Sequence, residues 1–260
     1  MEIVILPTPA DVGRLAARKI AQVIARLPSA VVGLATGSSP LAIYAELAAH
    51  VQAGTLDVRQ VRGVALDEYV GIPADHPESY LSVITRQVTR PLGLDPGNVF
   101  VPDGRAADIP AACAAYEARI RDLGGVDIQI LGIGANGHIG FNEPTSSFAS
   151  RTRIKTLAPQ TRADNARFFD TPDDVPTHCL TQGLGTIMDA RELVLVAQGE
   201  AKAEAIAGAV EGPVSSMCPG SVLQFHQHAY VIIDEAAASA LTLGDYYKHT
   251  YANKPDWQRF

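Results

Sequence analysis

The chain has 260 residues, 47% of them apolar and 19% charged, with a formal net charge of -7 at pH 7. A chain this long and this apolar buries a substantial core, which excludes a disordered segment. The acidic balance argues against a general nucleic-acid binder, whose affinity rests on a basic surface, and no apolar run reaches the length of a membrane span.

Glu2-Ile3-Val4-Ile5-Leu6 reads as a first strand. The basic region, apolar stretch and cleavage site of a signal peptide are absent from this stretch. Cys113, Cys179 and Cys218 are odd in number and form no CxxC pair, so neither a disulfide framework nor a zinc site is expected. Both features point to a cytoplasmic location. Val12, Leu15, Ala16, Ile20, Val23, Ile24 and Leu27 give one apolar face to a helix over 11–27. Residues 30–34 form a short apolar run typical of a buried parallel strand, and a helix follows from about Pro40. Further strands are expected at 61–66, 126–133, 193–197 and 229–233, with helices at 109–123 and 201–210. This alternation predicts a single α/β domain over 1–260. Its sheet is doubly wound and mostly parallel, with helices on both faces, Rossmann-like. Residues 148–176 are the least regular, rich in Arg, Thr, Asp and Pro, and are expected to form a lid or accessory segment.

Ligands of such folds bind beyond the carboxyl ends of the strands. Leu34-Ala35-Thr36-Gly37-Ser38-Ser39-Pro40 lies there, between a strand and a helix. Gly37 tolerates backbone angles that a β-carbon penalises, and Ser39 is placed as N-cap with Pro40 at the first helical position. The turn reads either as an anion site at a helix N-terminus or as an ordinary capped helix start. It has neither GxGxxG nor a Walker lysine. Arg167 and Lys202 are the cationic partners an anion would need.

Leu66-Asp67-Glu68-Tyr69 places two acids at the end of an apolar strand, so Asp67 is either a general base facing the crevice or a carboxylate capping a turn. Residues 131–144 run from a strand into a turn dense with glycine, then present His138 and Glu143. A histidine there titrates near neutral pH and both takes and gives a proton, and a nearby carboxylate orients it. No GxSxG elbow, HExxH pair or dinucleotide fingerprint is present, and His226-Gln227-His228 reads as a polar loop before the last strand.

With these residues in hand, the chain closely resembles the glucosamine-6-phosphate deaminases. The matching segments are Thr36-Gly37-Ser38-Ser39-Pro40, Leu66-Asp67-Glu68-Tyr69-Val70-Gly71, His76-Pro77-Glu78-Ser79-Tyr80, residues 132–144, residues 150–157 and Arg167-Phe168-Phe169. The block Gly-His-Ile-Gly-Phe-Asn-Glu-Pro separates that family from the related 6-phosphogluconolactonases. The resemblance implies conversion of D-glucosamine 6-phosphate and water to D-fructose 6-phosphate and ammonia, with no metal or organic cofactor. It implies that Asp67 is the enolisation base and that His138 opens the sugar ring. Glu143 and Asn136 would complete the hydrogen-bond group of the histidine, and Gly37, Ser38, Ser39, Arg167 and Lys202 would hold the phosphate. Some family members carry aspartate at the position of Asn136. Here His138 is therefore expected to rely more on Glu143 for its charged form.

Arg153 and Lys155 stand two apart, so on a strand they face the same side and repel unless an anion joins them. By itself the pair reads equally as a solvated strand face. The resemblance implies an allosteric site for N-acetylglucosamine 6-phosphate made by Ser146, Arg153, Lys155, Thr156 and Tyr246, in a homo-oligomer, a hexamer if allosteric. The alternatives are a 6-phosphogluconolactonase-like hydrolase, which has no use for an enolisation base, and a catalytically silent sugar-phosphate sensor.

Overall fold

The computed structural model describes residues 1–259. Strand β1 (Glu2–Leu6) leads into helix α1 (Pro9–Arg26). The helix starts two residues before the apolar periodicity does, because Thr8 caps it, accepting the Asp11 N–H, and Pro9 suits the first turn. Next come β2 (Val31–Leu34), α2 (Leu41–Gln52), β3 (Arg62–Ala65) and β4 (Asp67–Tyr69). After α3 (Tyr80–Ile84), α4 (Arg90–Leu92) and β5 (Val99–Phe100), Asp108 caps α5 (Ile109–Asp122), which precedes β6 (Ile128–Leu131). The second half holds β7 (Arg153–Thr156), α6 (Pro159–Asn165), β8 (His178–Thr181) and α7 (Leu184–Met188). It continues with β9 (Glu192–Ala197), α8 (Ala203–Val210), β10 (Ala229–Asp234) and α9 (Gly244–Ala252).

Seven strands form one parallel sheet in the order β1-β10-β9-β6-β2-β3-β5. Every residue of β2 and β6 is buried, as strands covered by helices on both faces require. The chain winds outward from β2 through β3 to β5, then returns to place β6 on the other side of β2. The order therefore reverses between β2 and β6, and a crevice opens beyond their carboxyl ends.

A second, antiparallel sheet, β4-β8-β7, was not foreseen. Its strands are short, and β7 alternates half-buried with exposed residues at an edge. The 148–176 segment is accordingly more regular than its composition suggests, since it supplies β7 and α6. The small sheet is joined to the large one where Gln182 donates its backbone N–H to the Leu66 carbonyl at 2.7 Å and its side-chain amide to the Ala65 carbonyl at 2.8 Å. A separate apolar cluster of Tyr69, Ile72, Phe141, Leu157 and Cys179 fills the space beneath it. The three cysteines are free thiols. Among the described residues, no helix is long and apolar enough to cross a membrane.

Glu68 anchors this arrangement. Its buried carboxylate accepts the backbone N–H groups of Tyr69 at 2.8 Å, Tyr80 at 2.9 Å and Leu81 at 3.0 Å, so it ties β4 to the first turn of α3. Removing it leaves helix-terminal donors without an acceptor. Glu68→Ala is expected to lower the unfolding free energy by about 2 kcal/mol, read from urea denaturation.

Candidate active site

The loops after β2, β3, β6 and β9 converge on one cavity of about 620 Å³ at the switch point. Gly37, Ser38, Ser39, Asp67, His138, Arg167 and Lys202 all line it. Asn136 and Glu143 stand behind the imidazole of His138, as described below.

The turn after β2 differs in one respect from the sequence expectation. Pro40, not Ser39, occupies the cap position of α2, and no side chain caps the helix. The Ser39 hydroxyl is therefore not engaged as a cap. Gly37 has φ of 89°, which only glycine adopts without strain. Gln198, from the loop after β9, donates to the Ser39 carbonyl at 3.2 Å and fixes the turn. Burial depresses the Lys202 ammonium, and neighbouring Arg167 depresses it further against the opposing Asp164. Two cations that raise each other's energy beside a glycine–serine turn are an arrangement that an anion relieves.

Asp67 is only 6% exposed, and no hydrogen bond from the described residues reaches its carboxylate. Burial, reinforced by the charge of Glu68, pushes its pKa well above the usual carboxylate range. This is a buried carboxylate with no internal donor among the described residues to satisfy it. The backbone of Gly140 passes beside it, and a β-carbon there would lie 3.7 Å from the Asp67 oxygen and 3.0 Å from Thr181 Oγ1.

His138 is held from behind. Its Nδ1 lies 2.7 Å from Asn136 Oδ1, which also accepts the His138 backbone N–H at 3.2 Å. Asn136 Nδ2 donates to Glu143 Oε2 at 2.7 Å, and that oxygen stands 3.6 Å from His138 Nδ1. An ionised carboxylate only accepts, so the amide must turn its nitrogen to Glu143 and its oxygen to the imidazole. The proton then sits on Nδ1, and Nε2 is the ring nitrogen outside this network. Asn136 is thus the group in hydrogen-bond contact with the imidazole, and Glu143 is the negative charge next to it. The ring also lies flat against Gly134, where any β-carbon would come within 2.1 Å of it.

The opposite oxygen of Glu143 accepts the Thr161 hydroxyl at 2.6 Å and the Ala158 N–H at 3.3 Å. Burial alone would raise this carboxyl, but His138, Thr161 and Asn136 outweigh it and hold it at about 2. Thr161 escaped the sequence reading because it belongs to α6. The available signal was Pro159, which marks a helix start and so puts Thr161 in a first turn. Also missed were Tyr69 and Tyr80, whose hydroxyls meet at 3.3 Å, and Asn165, which donates to Tyr69 at 3.0 Å.

The residues expected to form a regulatory site are only partly united. Arg153 and Lys155 share a face of β7, opposite Thr181 and Cys179 of β8, with Thr156 next along the strand. Arg153 donates to Asn142 Oδ1 at 2.7 Å. Ser146 is buried and donates to the Glu143 carbonyl at 2.7 Å, which is a turn-stabilising bond. Tyr246 is exposed on α9, which packs on β1 at the far edge of the large sheet, away from β7.

The fold and the cavity define a doubly wound α/β protein with a glycine–serine turn, two cations, a buried carboxylate and an imidazole facing one crevice. A family model of glucosamine-6-phosphate isomerases/6-phosphogluconolactonase matches residues 8–232. The glucosamine-6-phosphate deaminases of Mycolicibacterium smegmatis and Pseudarthrobacter chlorophenolicus are 62% and 61% identical, each over 99% of both chains. A solved monomeric glucosamine-6-phosphate deaminase is 41% identical, with a TM-score of 0.90 over 92% of this chain and all of its own. The 6-phosphogluconolactonase of Trypanosoma cruzi shares the fold at 21% identity, TM-score 0.74, over 93% of this chain and 97% of its own. The chain belongs to the glucosamine-6-phosphate deaminase family.

Because Glu143 is depressed from an ordinary 4.5 to about 2, its ionised form stabilises the fold fully above about pH 4.5. That contribution is lost as pH falls through about 2. Glu143→Gln is expected to unfold at lower urea concentration than the wild type near neutral pH, with the gap closing progressively below about pH 4.5.

Proposed function

We propose that this chain converts D-glucosamine 6-phosphate and water to D-fructose 6-phosphate and ammonia by side-chain acid–base chemistry. The observation that carries the reading is Asp67, a buried carboxylate without an internal hydrogen-bond donor, in the same cavity as His138 and the Gly37–Lys202 anion site. Ring opening needs a proton shuttle, isomerisation needs a base beside C2, and a gripped phosphate holds the sugar between them.

In this mechanism the Gly37-Ser38-Ser39 turn, Arg167 and Lys202 bind the phosphate. The Nε2 atom of His138 moves the proton that opens the pyranose. Asp67 removes the C2 proton of the open-chain aldehyde, and the electron pair forms the C1=C2 bond of an enolamine as the C1 oxygen gains a proton. Asp67 returns its proton to C1, which leaves an iminium at C2. Water adds to that carbon and ammonia departs. The raised pKa of Asp67 makes it a stronger base than a solvated carboxylate, which suits removal of a weakly acidic C–H. The same reading makes the protein a cytoplasmic hydrolase of amino-sugar catabolism.

We further propose that N-acetylglucosamine 6-phosphate activates the enzyme at the Arg153/Lys155 face, within a homo-oligomer. Arg153 is half-buried against neutral acceptors only, which supports a place for an anion there. Ser146 and Thr156 flank the face in sequence. Since α9 packs at the other edge, Tyr246 would have to come from another subunit.

Purified protein is expected to release ammonia and fructose 6-phosphate in equal amounts from glucosamine 6-phosphate. Added N-acetylglucosamine 6-phosphate should steepen or left-shift the saturation curve, and curves unmoved by it would remove the regulatory reading. Asp67→Asn is expected to lower turnover by roughly 10³-fold and to abolish solvent exchange of the C2 proton. Hydrolysis of 6-phosphogluconolactone without ammonia release would instead identify a lactonase, and tight sugar-phosphate binding without turnover a sensor.

A further inference from the structure

The hydrogen bonds of His138 do not end at Glu143. Thr161, 4% exposed, approaches that carboxylate from α6, an element separate from the turn that carries His138, Asn136 and Glu143. Its Oγ1 lies 2.6 Å from Glu143 Oε1, while the backbone N–H of Ala158 contributes a longer contact of 3.3 Å to the same oxygen. Glu143 is thus held at both ends, by Thr161 on one side and Asn136 on the other. A carboxylate held at one oxygen only can rotate about its last torsion, which for this group is broad and soft. Rotation would move Oε2 away from Asn136 Nδ2, and among its backbone contacts only the 3.2 Å bond from the His138 N–H to Oδ1 would then oppose a turn of the amide. A turned amide offers N–H to the imidazole and demands the opposite tautomer.

We propose that Thr161 is a positioning residue for the reaction, whose hydroxyl fixes Glu143 and, through Asn136, the tautomer of His138. The proposal rests on the acid–base role of His138 given above. The order of donors is unbroken: the Thr161 O–H donates to Glu143, the Asn136 N–H donates to Glu143, and the His138 Nδ1–H donates to Asn136. Each group has one orientation compatible with its neighbours, and Thr161 is the side chain that enters from outside the 131–144 turn, beside the longer backbone contact from Ala158. Its hydroxyl carries a single proton, so the bond to Glu143 uses its whole donor capacity. Valine is nearly isosteric and keeps the packing, so it isolates the hydroxyl.

Thr161→Val is expected to lower kcat about 10-fold and to change KM less than about twofold. Thr161→Ser should recover most of the loss. In a Glu143→Gln background Thr161→Val should add little, since the two act on one chain of bonds. The ¹⁵N shifts of the His138 ring read the tautomer without any assay. They should report a protonated Nδ1 in the wild type and in Thr161→Ser, and a mixture in Thr161→Val. If Thr161→Val keeps wild-type kcat and ring shifts, the proposal is wrong. It is equally wrong if serine restores neither, or if the loss is undiminished beside Glu143→Gln. A protein that shows the ring-shift pattern but releases no ammonia would keep the positioning role and overturn the reaction instead.

Discussion

An open parallel sheet covered by helices on both faces has to reverse its winding somewhere, and here the reversal between β2 and β6 sets where the crevice opens. Away from that point the strands run under helices and are apolar on both faces. At it, adjacent strand ends diverge to opposite sides and their loops cannot cover each other. Four loops meet in the resulting crevice, after β2, β3, β6 and β9. Each brings one kind of group: a glycine–serine turn, a carboxylate, an imidazole and a lysine. The small antiparallel sheet closes one wall and pairs Asp67 with Thr181, next to its junction with β3 at Gln182.

Three carboxylates sit within this region, and their fates show how environment rather than residue type sets the charge. Asp67 has burial without donors, and its pKa rises well above the usual range. Glu68, next in sequence, is also buried, and three backbone N–H groups only partly offset the desolvation, so its pKa is raised too. Glu143 gains a hydroxyl, an amide and a histidine, and these overcome burial to hold it at about 2. The ordering follows from hydrogen bonds to the charged form set against desolvation. It leaves the unsatisfied Asp67 as the basic one of the three and Glu143 as a fixed negative charge.

Much of this was legible in the sequence because parallel strands and glycine-rich turns leave strong local signals. The runs at 30–34 and 193–197 are uniformly apolar, as doubly covered strands must be, and the glycines around His138 mark a close approach of backbone to ring. The small sheet was not legible. Strand β4 is three residues long, and β7 places Arg153 and Lys155 on its half-buried face, which reads as a solvated charge run. Helix α6 is seven residues long and has no apolar stripe, so periodicity cannot reveal it. Helix α9 buries none of its residues. The ends of the site's network were hidden for the same reason. Asn136 and Glu143 lie in one conspicuous turn, but the contact of Glu143 with Thr161 is made only by the packing of α6. The position of Ser39 was misjudged by one residue, because Pro40 itself takes the cap position.

Asparagine at 136 suits its close approach to Glu143. The two side chains touch at 2.7 Å. Two carboxylates at that distance could not both ionise, and one would take up a proton shared between them. With asparagine the pair keeps a single charge, and the donor at Nδ2 satisfies it. The amide then has only its oxygen to give the imidazole, and the proton on Nδ1 follows. The charge of Glu143 acts on His138 directly across 3.6 Å and also through this oriented dipole. The histidine is therefore oriented by an amide, and the amide by a carboxylate whose own charge is secured from both ends. In such a chain the neutral middle member decides the tautomer, while the charged end member decides whether the middle member can turn.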